Sequence, residues 1–349
     1  MTDPMAARPG FGVMHDFRQP LPWIVSLADY YAECIDLSVE AESLGFDSVL
    51  FSEHHGTADG FLPSPLIAAA AVAVRTARVT VGTNVLVLPL HHPLRIAEDG
   101  AVVDAISGGR LILGVGQGYA DHEFELFGID RTHRPSRLEE GVQIIRDAWR
   151  DGRTGFSGKR FVLPTGPFAS TNQAPIYIGA TGGPALDRAI RLGDGLLTYV
   201  AEPAQASTRY DAYIEGLARH GRDRATFPFV LTSVCHLASD SDSAWEQAAP
   251  GIAYLESALR PMPLRADDLN RADYLVGTPD QIADAMSALY ATIPFDHFAF
   301  WARLPGLTLD QASRSQRLFA DEVIPVLRRQ ATGPGPVTST DVSPDRRLD

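Results

Sequence analysis

RVTVGTNVLVLPLHHPLRIAEDGAVVDAISGGRLILGVGQGYADHEFELFGID, running from Arg78 to Asp130, is the stretch whose reading decides the fold. Val79 to Leu88 is a run of β-branched, apolar and small residues bounded by Pro89. Without polar alternation, such a run suits a strand buried on both faces. His91 to Pro93 turns the chain, and Leu94 to Ser107 carries a broad apolar stripe of helical period that ends at Gly108 and Gly109, where helices commonly stop. A second buried strand, Leu111 to Val115, runs into Gly116-Gln117-Gly118-Tyr119. Strand, helix and strand within about forty residues make one βαβ crossover unit.

The same alternation continues outward in both directions. Upstream, Phe11 to Phe17 reads as a strand, Leu27 to Leu44 as a helix closed by Gly45, Phe46 to Ser52 as a strand delivering Glu53-His54-His55, and Ile67 to Thr76 as an Ala- and Val-rich helix. Downstream, strands are expected at Pro175 to Gly179, Asp194 to Val200, Phe227 to Leu237 and Phe295 to Trp301. Helices are expected at Pro135 to Trp149, Pro184 to Leu192, Pro203 to His220, from Pro279 to Tyr290, and at Asp310 to Leu327. Eight strands alternating with helices predict a (β/α)8 TIM barrel occupying residues 1–329 as one domain, with insertions after strands 4 and 7. The first insertion, Asp151 to Ala174, is rich in Gly, Pro and Thr and reads as an irregular excursion. The second, Ser239 to Tyr274, contains Pro250, Pro261 and Pro263, so no single straight helix is expected and a mobile lid over the mouth is. The tail, 330–349, has almost no apolar content and is expected to be disordered.

Composition narrows the function classes. The chain of 349 residues has a net charge of −13 and no basic run, which excludes a nucleic-acid partner. Cys34 falls in a helical pattern and Cys235 in a strand pattern, far apart and with no CxxC, so neither a disulfide framework nor a zinc motif is expected. The N-terminus lacks a signal-peptide pattern, and no apolar run reaches the roughly eighteen residues that cross a bilayer. A cytoplasmic protein without a membrane partner is expected. No nicotinamide fingerprint is evident, because Tyr119-Ala120-Asp121 follows GVGQG where a third glycine would be needed.

In a barrel the active site gathers at the C-terminal ends of the strands. Those ends here are His15-Asp16, Glu53-His54-His55, Asn84 with His91-His92, Gln117 to Tyr119, Ala180 to Gly183, and Trp301. Two adjacent histidine pairs raise the reading of a metal-dependent hydrolase. Neighbours on an extended chain diverge, however, and the His-x-His spacing is absent, so no metal site is expected. The glycine turn Ala180-Thr181-Gly182-Gly183 before a helix is a candidate anion site, through its backbone N–H groups.

In the order EHH, GTNVLVLP, HPLRIAED, SGGR, GVGQGY, EFELFGID, API with its glycine turn, and VGTP, the chain resembles the bacterial luciferase-like flavin monooxygenases from Phe11 to Leu327. The resemblance implies a barrel that binds reduced FMN at its mouth, or a deazaflavin coenzyme in other branches. It also implies a non-proline cis peptide at Asn84-Val85 beneath the ring, and a phosphate site partly in Ala180, Thr181, Gly182 and Gly183. Gln117 stands where luciferase has a phosphate-contacting arginine, so either phosphate affinity falls or another cation, Arg137 at the head of its helix, compensates. Gly116 replaces a cysteine and is expected to leave room against the ring, with Tyr119 nearby.

His54 matches the family's active-site histidine, a proton-transfer group suited to chemistry near neutral pH. His55 is expected to point away and to be structural. The implied reaction is monooxygenation of a small organic substrate by O2, with a separate flavin reductase supplying reduced FMN. A deazaflavin-dependent hydride transfer and a non-catalytic flavin binder are the alternatives, and the EHH triplet is closer to the luciferase branch. A homodimer is expected through the helices after the second and third strands, whose Ala70, Ala71, Gly100 and Ala101 would permit close approach.

Overall fold

The computed structural model describes residues 8–169, 174–200, 204–257 and 262–332. Eight short strands lie side by side: β1 (Gly10–His15), β2 (Ser48–Phe51), β3 (Thr80–Thr83), β4 (Leu111–Gly116), β5 (Ile176–Gly179), β6 (Gly195–Tyr199), β7 (Phe229–Ser233) and β8 (His297–Trp301). Each pairs in parallel with the next, and β8 closes the ring on β1 with Gly10 opposite His297 and Met14 opposite Trp301. The result is a closed parallel (β/α)8 barrel. All six residues of β1 and all five of β7 are buried, which is why the strands read as continuous apolar runs rather than alternating ones.

The helices are α1 (Leu27–Ser43), α2 (Pro65–Ala73), α3 (Pro93–Ser107), a short α4 (Asp121–Leu126), α5 (Arg134–Asp151), α6 (Gly183–Leu192), α7 (Ala204–His220), α8 (Ser241–Ser257), α9 (Pro279–Thr292) and α10 (Leu309–Leu318). Helix α3 stops where the glycines predict, with Gly108 at φ +71 and Gly109 at φ +85. Arg110, the next residue, then donates from its guanidinium to the carbonyls of Ala73, Thr76 and Val79. The Ser-Gly-Gly-Arg sequence thereby ends one helix and satisfies the open carbonyls at the end of α2. Gly100 faces inward, where a Cβ would stand 2.8 Å from the Trp149 ring, and Ala101 is buried. These two therefore pack the barrel and are not surface residues available to a dimer, contrary to the sequence reading. No helix among the described residues is long and apolar enough to cross a membrane.

Several sequence boundaries need correction. The expected strand Val79 to Leu88 is broken at Asn84-Val85, and Leu86–Val87 resumes pairing beside Val115 and Gly116. The strand expected through Leu237 ends at Ser233; Cys235–Leu237 instead pairs with Leu275–Gly277. The first insertion is not irregular. Arg153–Ser157 and Val162–Pro167 form an antiparallel hairpin, and its turn is held by the Glu140 carboxylate, which accepts the N–H groups of Lys159, Arg160 and Phe161.

In the second insertion α8 runs unbroken through Pro250. It buries Ala244, Ala248, Ile252 and Leu255 against Val234, Val276, Leu304 and Leu307. At Gly251 a Cβ would lie 2.5 Å from the Pro305 carbonyl oxygen, so α8 sits tightly on the barrel. Tertiary packing overrides the local cost of the proline, and α8 docks on the barrel along its length. Pro261 lies outside the described residues. The last helix continues through Phe319–Val323 to Thr332, so residues 330–332 of the expected tail are helical, and 333–349 lie outside the described residues.

Candidate functional site

The mouth is built on the break in β3. The Asn84-Val85 peptide bond is cis, as the resemblance implied. Asn84 donates its backbone N–H to Phe51 O at 2.7 Å and its Nδ2 to Thr232 Oγ1 at 2.8 Å, tying β3 to β2 and β7. The Val85 side chain then lies over two glycines: a Cβ on Gly116 or Gly179 would stand 2.5 or 2.8 Å from a Val85 methyl. Gly116 was expected to leave room against a cofactor ring, but Val85 fills that room. The need for glycine there follows from the bulge itself.

His54 leaves the end of β2 with both ring nitrogens engaged. Nδ1 lies 2.7 Å from Glu123 Oε1, and Nε2 lies 3.2 Å from the Tyr119 hydroxyl. The Phe61 ring meets the imidazole edge-on at 4.6 Å. Glu123 is fully buried, and its Oε1 also accepts the His55 backbone N–H at 2.8 Å, while Oε2 has no partner. Burial pushes this carboxyl up, but the hydrogen bonds from His54 and His55 outweigh it and hold it below its ordinary value. An ionised Glu123 can only accept, so Nδ1 is the donor of that contact and Nε2 faces the Tyr119 hydroxyl. Sequence reasoning missed Glu123. It stands on α4, a helix whose six residues are too few to show a period, and EFELFGID served only as a family marker.

The glycine turn after β5 is built as expected. Ala180 donates its N–H to Leu197 O at 3.0 Å, Gly182 and Gly183 have φ of +154 and +55, and α6 starts at Gly183. Thr181 and Gly183 are exposed at the start of α6. Arg137, however, is committed elsewhere: its Nε donates to Pro89 O at 2.7 Å and its guanidinium stacks on Phe161 at 4.7 Å. It fixes the turn below the bulge and is not a free cation. Arg134, one turn earlier, has a buried Nε without a hydrogen-bond partner, and Arg131, Asp121 and Arg188 are the charges that act on it. Gln117 is half-buried beside this region.

Unpartnered buried polar atoms also occur at the strand ends, among them His15 Nε2, Ser52 Oγ, Thr198 Oγ1 and Ser233 Oγ. Buried polar groups ordinarily have partners. His15, Thr198 and Ser233 alternate with the barrel-lining Met14, Leu197 and Thr232 and face the helices, whereas the open Ser52 Oγ and Glu123 Oε2 at the mouth, together with the glycine turn, fit a polar heterocycle carrying a phosphate.

The histidine pairs diverge as expected, and one member of each nonetheless meets a shared carboxylate. His54 turns to Glu123, while His55 and His91, one from each pair, both reach Glu53: Nε2 to Oε1 is 2.8 Å and 2.6 Å. A backbone N–H from Val87 meets the other oxygen, Oε2. Burial raises the Glu53 carboxyl, and the two imidazoles more than offset it, holding it at about 2. Three potential metal ligands therefore converge where none was expected.

Comparison with known proteins agrees with this architecture. The family described as luciferase-like monooxygenase matches residues 10–297. The chain belongs to that family. An F420-dependent glucose-6-phosphate dehydrogenase of Microbacterium testaceum is 30% identical over 85% of this chain and 94% of its own. The alkanal monooxygenase alpha chain of Photorhabdus luminescens is 25% identical over 89% and 92%. The oxygenating constituent of 3,6-diketocamphane monooxygenase from Pseudomonas putida, solved with FMN, superposes with a TM-score of 0.76 at 18% identity, over 91% of this chain and 98% of that one. Relatives of this luciferase-like chain thus include both monooxygenases and F420-dependent oxidoreductases.

Proposed function

We propose that the protein is a monooxygenase that uses reduced FMN and O2 on a small organic substrate, with the reduced flavin delivered by a separate reductase in the cytoplasm. The observation that carries this reading is the His54–Glu123 pair at the mouth, with Nε2 directed at Tyr119. Reduced FMN, when bound, supplies the electrons that activate O2. The remaining work falls to the chain. Asn84, Val85 and the cis bond would form the floor for the ring, with Gly116 packed against Val85 and Gln117 alongside, and the N–H groups of Thr181 to Gly183 would hold the phosphate. Arg134, rather than Arg137, supplies the cation that Gln117 does not. Glu123 fixes the tautomer of His54, whose Nε2 holds and moves a proton beside the ring, with Tyr119 as its neighbour. The docked α8 helps keep water from the mouth, with the Tyr199 hydroxyl donating to Glu256 at 3.2 Å.

A dimer through α2 and α3 completes the proposal. Ile67 and Val74 on α2 and Val102 and Ile106 on α3 are exposed apolar side chains on adjacent helices, a patch that a two-fold copy would cover.

The second reading, an F420-dependent hydride transfer, is favoured by the 30% identity to the dehydrogenase. Parallel anaerobic titrations with reduced FMN and reduced F420 separate the two. The oxygenase reading expects the tighter dissociation constant for FMN and rapid oxygen consumption by the complex. Tight binding of F420 alone overturns it.

A further inference from the structure

Glu53, His55 and His91 take no part in the proton path assigned to His54, yet their ligand atoms all lie within 4.8 Å of one another. We propose that these three side chains bind a single divalent transition-metal ion of the zinc class, through Nε2 of each imidazole and Oε1 of the carboxylate, beside the cofactor mouth.

The donor chemistry is that of a zinc site: two imidazoles and one carboxylate, with a fourth position left for water. At bonds of about 2.0–2.1 Å, tetrahedral ligand atoms stand about 3.3 Å apart. The observed separations of 2.8 and 2.6 Å to Glu53 Oε1 therefore need to open by roughly half an ångström to admit the ion. That movement is available, because His55 lies in the loop leaving β2 and His91 in the turn after the bulge, with side chains 11% and 23% exposed. The carboxylate is already oriented by the Val87 N–H on Oε2, an outer contact of the kind that fixes metal ligands.

Charge points the same way. Glu53 is 2% exposed, and its hydrogen-bond partners among the described residues are the two imidazoles and that N–H. A buried carboxylate without a lysine or arginine is stabilised by a cation.

The ion would clamp the exit of β2 to the turn below the bulge. Because the His55 N–H and His54 Nδ1 share Glu123 Oε1, it would also stiffen the mounting of His54. This inference does not depend on the flavin reading and holds for either cofactor.

The test uses the full-length protein, stripped with a chelator and titrated with zinc chloride by calorimetry and with cobalt chloride by visible absorption. One ion per chain is expected, with four-coordinate cobalt bands and a higher melting temperature in zinc. His91→Ala and His55→Ala should each weaken zinc binding at least about tenfold. His91→Gln keeps a donor to Glu53, so it should fold normally and still lose affinity. His122→Ala removes a nearby imidazole outside the set and should leave binding unchanged. Absence of saturable uptake of both ions, or uptake undiminished in the His91 and His55 variants, overturns the proposal.

Discussion

The two ends of the barrel use polar groups in opposite ways. At the foot, where strands begin, carboxylates cap the first N–H of a neighbouring strand and are themselves paired with arginine. Asp47 accepts Phe11 N at 2.8 Å and Arg328 at 2.8 Å, Asp194 accepts Ile176 N at 2.9 Å and Arg146 at 3.0 Å, and Asp296 accepts Phe229 N at 2.6 Å and Arg224 at 2.8 Å. The buried His297 is hydrogen-bonded through Nε2 to Ser48 at 2.7 Å, and its Nδ1 has no partner. At the mouth, by contrast, Glu123 Oε2 and Ser52 Oγ have no partner. The carboxylates at the foot are each satisfied by a strand N–H and an arginine, whereas the open oxygens of Glu123 and Ser52 at the mouth hold capacity for something outside the chain.

Substitutions at the two ends should therefore separate activity from stability. The largest effect is expected at the mouth. His54→Ala should lower coupled oxygenation by about 10²- to 10⁴-fold with little change in FMN affinity or melting temperature. Equal loss of turnover and affinity would instead make His54 a cofactor-binding residue.

At the foot, burial holds His297 down at about 4. A depressed histidine is neutral in the fold while the unfolded chain takes up a proton, so its contribution is complete above about pH 6.5 and is lost as pH falls toward 4, by about 3 kcal/mol. At the mouth His15, lowered to about 3 by burial and by Arg303, acts in the same direction. Urea unfolding between pH 7 and pH 5 should show this decline, and His297→Gln should flatten its own share. An unchanged slope in that variant would show the histidine to be charged in the fold.

Asp296→Ala frees the Phe229 N–H and unpairs Arg224. It should cost about 2 kcal/mol of stability while turnover per folded molecule stays at wild-type level. A loss of turnover without a loss of stability would break the division between the two ends. The smallest effect on the barrel itself is expected outside both. Ala71→Arg, on half-buried ground between Ile67 and Val74, should shift sedimentation from dimer to monomer and leave the melting transition within about 0.5 kcal/mol. A wild-type protein that sediments as a monomer would reject the interface.

Much of the frame was legible in the sequence because its signals are local. Buried parallel strands are apolar throughout, and Gly108 and Gly109 mark a helix end; the cis bond at Asn84-Val85 came only from the family resemblance. What escaped depends on contacts between distant segments. Pro250 reads as a breaker until the packing of Ile252 and Leu255 is seen. Glu123 and His54 are 69 residues apart, so no spacing rule joins them. Arg134 and Arg137 are nearly interchangeable in sequence, and only the carbonyls of Pro89 and His91 show which one is taken. His55 and His91 each diverge from their neighbour as strand geometry requires, yet meet at Glu53, a convergence set by the bulge.

The most direct test of the account is backbone hydrogen exchange measured with and without reduced FMN under anaerobic conditions. The account predicts new protection at the mouth, in segments 54–61, 84–87, 117–123 and 180–186, with the foot around Asp47, Asp194 and Asp296 unchanged. Residues 244–256 of α8 should already be protected before cofactor is added. Protection appearing at the foot, or confined to the α8 region with none at the glycine turn or the bulge, would contradict it.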